Sequence, residues 1–253
     1  MSVFTGISSM TGVSTITNVA TGIVSSGLVL HLDAGNAASY PGSGTNWTDL
    51  SGNSNTGTLT NGPTYSSTDS GSILFDGTND FVLETDPSTL RNQNFTVSIW
   101  INPGTQLQAI ISIIDFDHAG SPLQGWVLQS EDATTNRYFY LAWNDGSTFQ
   151  PTGGGGFGSG KGIQLTTAVW QNITYTKSGT SLLGYKNGTQ TYTGTASNAN
   201  VNYTSSKNMR IGDCVAISRA YKGNISQVAM YNRAISSTEV TTNYDALRAR
   251  YGL

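Results

Sequence analysis

A chain of 253 residues with 12 Lys and Arg against 15 Asp and Glu carries a formal net charge of -3. That balance offers no basic stripe to neutralise phosphates, so nucleic acid and anionic membrane surfaces are not expected partners, and no apolar run approaches the roughly 18 residues needed to span a bilayer. Only 11% of residues are charged beside 30 glycines, a composition of strands and polar turns rather than helices, and the single cysteine, Cys214, can form no internal disulfide, which leaves burial to hold the fold.

Residues 1–26 stand apart. They contain no charged residue and echo loosely every six residues, TGISSM at 5 and TGVSTI at 11, with TNVA and TGIVSS following. Too short to bury a core of its own, this stretch reads as an extended N-terminal arm that orders only against something larger, anchoring the chain or joining copies of it. Without Lys or Arg, and with its apolar residues diluted by Ser, Thr and Gly, it does not read as a secretory signal.

From Gly27 onward, short apolar runs alternate with Gly, Asn, Asp and Pro clusters. LVLHLDA at 28, SILFDG at 72, DFVLET at 80 and FTVSIWI at 95 each end in turn chemistry and read as strands. QAIISIIDF at 108 is continuous enough to be buried on both faces, whereas GWVLQS at 125 and RYFYLAW at 137 read as half-exposed strands. PTGGGGFGSG at 151 reads as a long loop. Two hairpins follow, over 168–194, the second turning at Asn187-Gly188, and MRIGDCVA at 209 and YKGNISQVAMYN at 221 supply the last of about a dozen strands. One helix is expected near the end: Ser236 to Glu239 forms a capping box, Val240, Tyr244 and Leu247 share a face, and Arg248 and Arg250 complement the C-terminal dipole. The whole predicts an all-β, antiparallel two-sheet jelly-roll sandwich over 27–253 with one short C-terminal helix.

Five blocks in order resemble the laminin-G-like, concanavalin A-like lectin/glucanase jelly rolls: GLVLHLDAGN at 27 with WTDLSGNSNTGTLTNGP at 47, ILFDGTNDFV at 73, FTVSIWINP at 95, WQNITYTKSGTSLLGYKNGTQ at 170 and YKGNISQVAMYNRAISSTEV at 221. The closing NYDALRARYGL is similar to the ends of jelly-roll proteins of tailed bacteriophages. The resemblance implies a virion structural or decoration protein, a homo-oligomer on the virion surface, attached to a capsid or tail protein by its arm and displaying a lectin-like domain for polysaccharide. The alternative it implies is a carbohydrate-binding module of a bacterial surface or secreted protein. Where the family often has Ile-Asp-Glu-Val, this chain has Ile225-Ser226-Gln227-Val228, which removes an acidic pair often placed near a structural calcium.

Catalysis is not expected. Related glucanases carry two glutamates and an aspartate on one strand, because hydrolysis needs a proton donor and a nucleophile across one bond; here Glu84, Glu131 and Glu239 are scattered, and no serine sits in a nucleophile motif. Glu84 with Asp86, and Asp115 with Asp117, are two candidate carboxylate pairs that strand spacing could put on one face, and both read as solvated strand ends. Sugar binding asks for an aromatic platform beside amides and carboxylates, and Trp143, Asn144 and Asp145 with Trp126, Asp115 and Asp117 are the candidates; Trp100 and Trp170 are expected in the core. For a metal, the loop Asp76-Gly77-Thr78-Asn79-Asp80 offers Asp76, Asn79 and Asp80 as oxygen ligands of a Ca2+ ion, with Asp115, Asp117 and His118 a weaker set.

Overall fold

The computed structural model describes residues 22–85, 87–105, 110–116, 124–130, 137–151, 162–203, 208–214 and 219–253. Among them seventeen strands run in chain order: β1 (Leu28–Asp33), β2 (Asn46–Trp47), β3 (Gly57–Thr60), β4 (Thr64–Ser66), β5 (Ser72–Asp76), β6 (Phe81–Glu84), β7 (Phe95–Pro103), β8 (Ser112–Phe116), β9 (Trp126–Ser130), β10 (Tyr138–Asn144), β11 (Phe149–Gln150), β12 (Ile163–Gln164), β13 (Gln171–Ser178), β14 (Ser181–Lys186), β15 (Thr189–Thr195), β16 (Met209–Ile211) and β17 (Lys222–Tyr231). Helix α1 spans Ser237–Leu247 and passes into a 3-10 turn at Arg248–Tyr251. No helix among the described residues is long and apolar enough to cross a membrane.

The strands form two antiparallel sheets. Sheet 1 runs β15-β14-β13-β7-β17-β5-β4, with β1 beside the second half of β17; sheet 2 runs β11-β10-β9-β8-β16-β6-β3-β2, with β12 on β10. Period-two alternation sends one set of side chains from each sheet inward. Val97, Ile99 and Ile101 of β7, Ile173 and Tyr175 of β13 and Val228 and Met230 of β17 meet Trp126 and Leu128 of β9, Phe139, Leu141 and Trp143 of β10 and Met209 and Ile211 of β16 in one core. At roughly 25 cal/mol per Å2 of apolar area removed from water, this layer is the dominant stabilising term.

The outer face of sheet 1 is partly roofed. Trp100 stacks on Tyr251 at 4.2 Å and on Tyr244 at 5.6 Å between ring centroids, and Trp170 lies 4.7 Å from Tyr251. Trp100 and Trp170 are buried as expected, but beneath the C-terminal cap rather than between the sheets. The capping box is present, Ser236 accepting from Glu239 N and Glu239 accepting from Ser236 N. The expected dipole role of Arg250 gives way to a stronger one: its guanidinium makes two hydrogen bonds, at 2.8 and 2.9 Å, to the Asp33 carboxylate at the end of β1, while Arg248 pairs with Asp245.

Residues 22–26, read from the sequence as part of the arm, belong to the domain. Val24 N donates to Asn243 Oδ1 at 2.8 Å, Tyr231 Oη donates to Val24 O, and Ile23 and Val24 pack by Tyr185, Tyr231 and Val240. The rest of the arm lies outside the described residues. Strands β9 and β10, expected to be half-exposed, are almost wholly buried, and Val127, Tyr140 and Ala142 form an apolar cluster of their own on the outer face of sheet 2.

Gly35 is the residue that lets the cap close, since a Cβ there would overlap the Arg250 guanidinium and the Ser70 carbonyl oxygen. Gly35→Ala is expected to destabilise the fold by about 2 kcal/mol, lowering Tm by roughly 4–8 °C, while Gly22→Ala, where a Cβ meets nothing within 4 Å, leaves Tm unchanged; differential scanning calorimetry of both variants checks this.

Candidate functional site

The residues that the sequence singled out separate into three places. Trp126 and Trp143 are fully buried. Their strand parity is that of Leu128 and Leu141, so both indoles point into the sandwich: Trp126 lies against Phe95 and Phe116, and Lys177 Nζ sits 4.6 Å over the Trp143 ring. Neither presents a face to a sugar, which corrects the expectation of an aromatic platform at Trp143. Asn144 is buried too and donates to Gln124 O. Asp145 is half-buried and tethered. Burial pushes its carboxyl up, but the Thr148 and Ser147 main-chain N–H groups and the Gln150 amide outweigh this and hold it below the usual carboxylate range. It also accepts from Asn198 Nδ2 at 3.1 Å, so its oxygens pin one end of the sandwich together.

The proposed calcium loop is a tight hairpin closed by its own side chains. Asp80 accepts from Asp76 N at 2.9 Å, Asp76 accepts from Thr78 N at 2.7 Å, and the carbonyl of Asn79 is held by Asn61 Nδ2. Burial, and then the neighbouring Asp76 charge, raise the Asp80 carboxyl. No group of three or more His, Cys, Asp or Glu side chains suited to a metal ion occurs among the described residues. Asp86, Asp117 and His118 lie outside them, as does Glu131.

Asp115 is the candidate that the fold places in company. It projects to the outer face of sheet 2, and the register lines up one row across six strands: Ala142, Val127, Asp115, Arg210, Leu83 and Thr58 stand directly opposite one another. In the adjoining row Gln129 faces Tyr140, to which its amide donates, and Gln129 Oε1 in turn accepts from Arg219 Nη1. Asp213 accepts from the main-chain N–H groups of Cys214 and Arg219 and lies 3.9 Å from Arg210 Nη1. The Arg210 guanidinium lies 4.2 Å over the Phe81 ring.

The result is a graded surface. At the β9–β10 side Tyr140, Gln129 and Asp115 are buried; toward β6 and β3 the Arg210 side chain is 27% exposed, beside half-buried Leu83 and exposed Thr58. The accessible part of this row is Arg210 on the Phe81 ring with Leu83 and Thr58 beyond it: the guanidinium can donate to the hydroxyls of a ligand, the Thr58 hydroxyl can donate or accept, and a nonpolar edge can pack on Leu83. The sequence signal was the alternation Met209-Arg210-Ile211, an arginine forced outward between two core residues.

Two further titratable groups are buried. Lys177 points inward, capped by the carbonyls of Gln93, Ala199 and Gly179, and burial lowers its ammonium to about 8; it is wholly enclosed. Glu84, at the end of β6, is pushed up to about 7 by burial and by the neighbouring Asp49. Asp49 itself accepts from the N–H groups of His31, Ser51 and Asn55, which organises the WTDLSGN loop.

Residues 76–241 match the concanavalin A-like lectin/glucanases superfamily, and the chain belongs to it. Among solved structures it is similar to domain 4 of AbnA, a GH43 extracellular arabinanase from Geobacillus stearothermophilus, in complex with arabinotriose (17% identity over 87% of this chain and 98% of that domain, TM-score 0.55). It is also similar to Trypanosoma rangeli sialidase in complex with sialic acid (13% identity, 88% of this chain and 33% of that one, TM-score 0.60) and to the receptor binding domain of a botulinum neurotoxin C/D mosaic serotype (15% identity, 88% and 52%, TM-score 0.62). The chain thus spans a third to a half of the latter two. At these identities the likeness is one of fold. Among curated proteins none matches the sequence.

The Glu84 carboxyl sets a pH signature. Because its folded value near 7 exceeds its ordinary value of 4.5, the folded state binds the extra proton between these limits, and that stabilisation is full below pH 4.5 and lost as pH rises through about 7. Relative to Glu84→Gln, the wild type is expected to lose stability across this window, by about 1–2 kcal/mol once solvent screening of this half-buried group is allowed for, measured by urea unfolding at pH 4.5 and pH 8; parallel stability curves would refute it.

Proposed function

We propose that this chain is a non-catalytic carbohydrate-binding domain, displayed on a phage particle to which its N-terminal arm attaches it. The observation that carries the binding reading is the row on the outer face of sheet 2, where Asp115 and Arg210 stand opposite each other beside the Arg210–Phe81 stack. Sheet faces in this fold are broad enough to follow an extended chain of sugars, and the partly exposed Arg210 guanidinium with the exposed Thr58 hydroxyl offers hydrogen bonds to sugar hydroxyls. The superfamily, and the arabinotriose bound to the arabinanase domain, favour the same ligand class.

The absence of catalysis rests on where the carboxylates lie. Glycoside hydrolysis needs two carboxyl groups facing each other across the scissile bond. Asp115 has an arginine opposite it, Glu84 is buried beside an Asp49 already saturated by N–H donors, and Glu239 is held near 2, first by its two-point pairing with Arg233 and then by the helix cap.

The attachment reading rests on residues 22–26. Their packing by Tyr185, Tyr231 and α1 fixes the point from which the uncharged arm departs, as a tether between a particle and a displayed domain requires. The alternative is a module of a bacterial surface or secreted protein with the same ligand face.

Arg210→Ala is expected to weaken glycan binding at least tenfold on a glycan array and by calorimetry, with the circular dichroism spectrum unchanged; undiminished binding would place the site elsewhere. Light scattering of the full chain and of a chain beginning at Gly22 tests the arm: a defined oligomer that becomes a monomer on truncation is expected, and two monomers would remove self-assembly from the proposal.

A further inference from the structure

Beyond the edge of the C-terminal cap, the outer face of sheet 1 opens into a cavity of about 500 Å3, lined by β5, β7, β17 and the segments at Gly104–Thr105 and Ala168. Its size falls in the range of about 300–1,000 Å3 typical of small-ligand sites. Register builds its floor. Leu74, Asn224 and Asn102 stand directly opposite one another across β5, β17 and β7, and Asp76 faces Lys222 in the next outward-facing row. Gly223 between them has φ +139, and a Cβ there would press on the Asn102 carbonyl and the Gly104 N–H, so glycine lets the three strands close up behind the amides.

The groups in this cavity keep hydrogen-bonding capacity for a ligand, Asp76 using only Oδ1, which accepts from the Thr78 N–H. Asp76 and Lys222 form no ion pair with each other, and the Asn102 amide has no hydrogen-bond partner among the described residues; Asn224 uses only its Nδ2, donating to Ser72 Oγ at 3.0 Å, which leaves its carbonyl oxygen for a ligand. Leu74 is 41% exposed, unusually open for a large apolar residue here. A small ligand site thus presents one apolar wall, two amides side by side, one carboxylate and one ammonium, with the two charges cancelling.

We propose that this cavity is a second saccharide site, for a neutral sugar ring bearing vicinal hydroxyls. An adjacent pair of hydroxyls can accept from Lys222 and Asn102 while donating to Asp76 and the Asn224 carbonyl, and the C–H face of the ring covers Leu74. An anionic ligand would leave Asp76 repelled and a cationic one Lys222, whereas a purely apolar one would strand four polar groups without water, at a cost of about 1–3 kcal/mol each. The inference rests on the carbohydrate-binding reading and extends it: the two sites occupy opposite outer faces of the sandwich, so one copy can bridge two glycan strands and gain avidity on a polymer.

The test is calorimetric titration of wild type, Arg210→Ala, Asn102→Ala and the double variant with arabinotriose and a panel of neutral pentose and hexose oligosaccharides, each variant first shown to keep the wild-type Tm. The expected result is that Arg210→Ala retains one binding event, that adding Asn102→Ala weakens this event at least tenfold, and that Asp76→Asn weakens it similarly in the Arg210→Ala background. If the wild type binds and Arg210→Ala does not, the second site is overturned while the first stands. If binding depends on Asn102 and not on Arg210, the second site stands and the sheet 2 face is overturned. No binding by any form overturns both.

Discussion

The Trp100–Tyr251 stack decides what this sandwich can do with its outer surfaces. A sheet buried on one side against its partner sheet ordinarily leaves the other side to solvent, and sheet 1 would expose Trp100, Tyr185 and Tyr231 there. The C-terminal helix and its 3-10 turn cover them, held at the far end by the two hydrogen bonds from Arg250 to Asp33. The cap stops at Trp170, whose indole donates to Asp69 Oδ2 at 2.9 Å. Past that edge the same sheet turns polar, with Asn102 directly after the core residue Ile101 of β7 and Asn224 directly before Ile225 of β17. Covered and open parts of sheet 1 are therefore consequences of one aromatic cluster.

Sheet 2 solves the same problem differently. Its outer face is apolar at Val127 and Ala142 and becomes charged at Asp115 and Arg210 along a single row. Asp115 is buried, and Arg210 stands directly opposite it in register with its own guanidinium over Phe81 and 3.9 Å from Asp213. A polar network runs from Tyr140 through Gln129 to Arg219, and Arg210 is itself held by the Cys214 carbonyl at 3.1 Å and by the Phe81 ring, so a ligand meeting it meets a side chain that loses little conformational freedom on binding.

Much of this was legible beforehand. Strand alternation, the Asn187-Gly188 turn and the Ser236–Glu239 capping box are local signals, and each appears as the sequence implies. The site was legible only in part. Trp143 beside Asn144 and Asp145 has the composition of a sugar site, yet its parity with Phe139 and Leu141 turns the indole inward, and parity outranks composition on a strand buried on both faces. Arg210 and Asp115, 95 residues apart in sequence, meet only because β16 lies between β8 and β6, a crossover that no local pattern encodes. The Asn102–Asn224 pair is invisible for the same reason. Lys177 shows the converse, a charged residue at an inward position whose carbonyl partners come from three separate segments.

The central claim is that ligands meet the open sheet faces and not the ends of the sandwich. Backbone amide chemical shifts of the full chain, followed by nuclear magnetic resonance as a binding oligosaccharide is added, test it most directly. The account predicts perturbations centred on Leu83, Arg210 and their strand neighbours on sheet 2 and on Asn102 and Asn224 on sheet 1, with the Asp145–Gln150 turn unmoved. Perturbations confined to that turn and to Asn198 would contradict it.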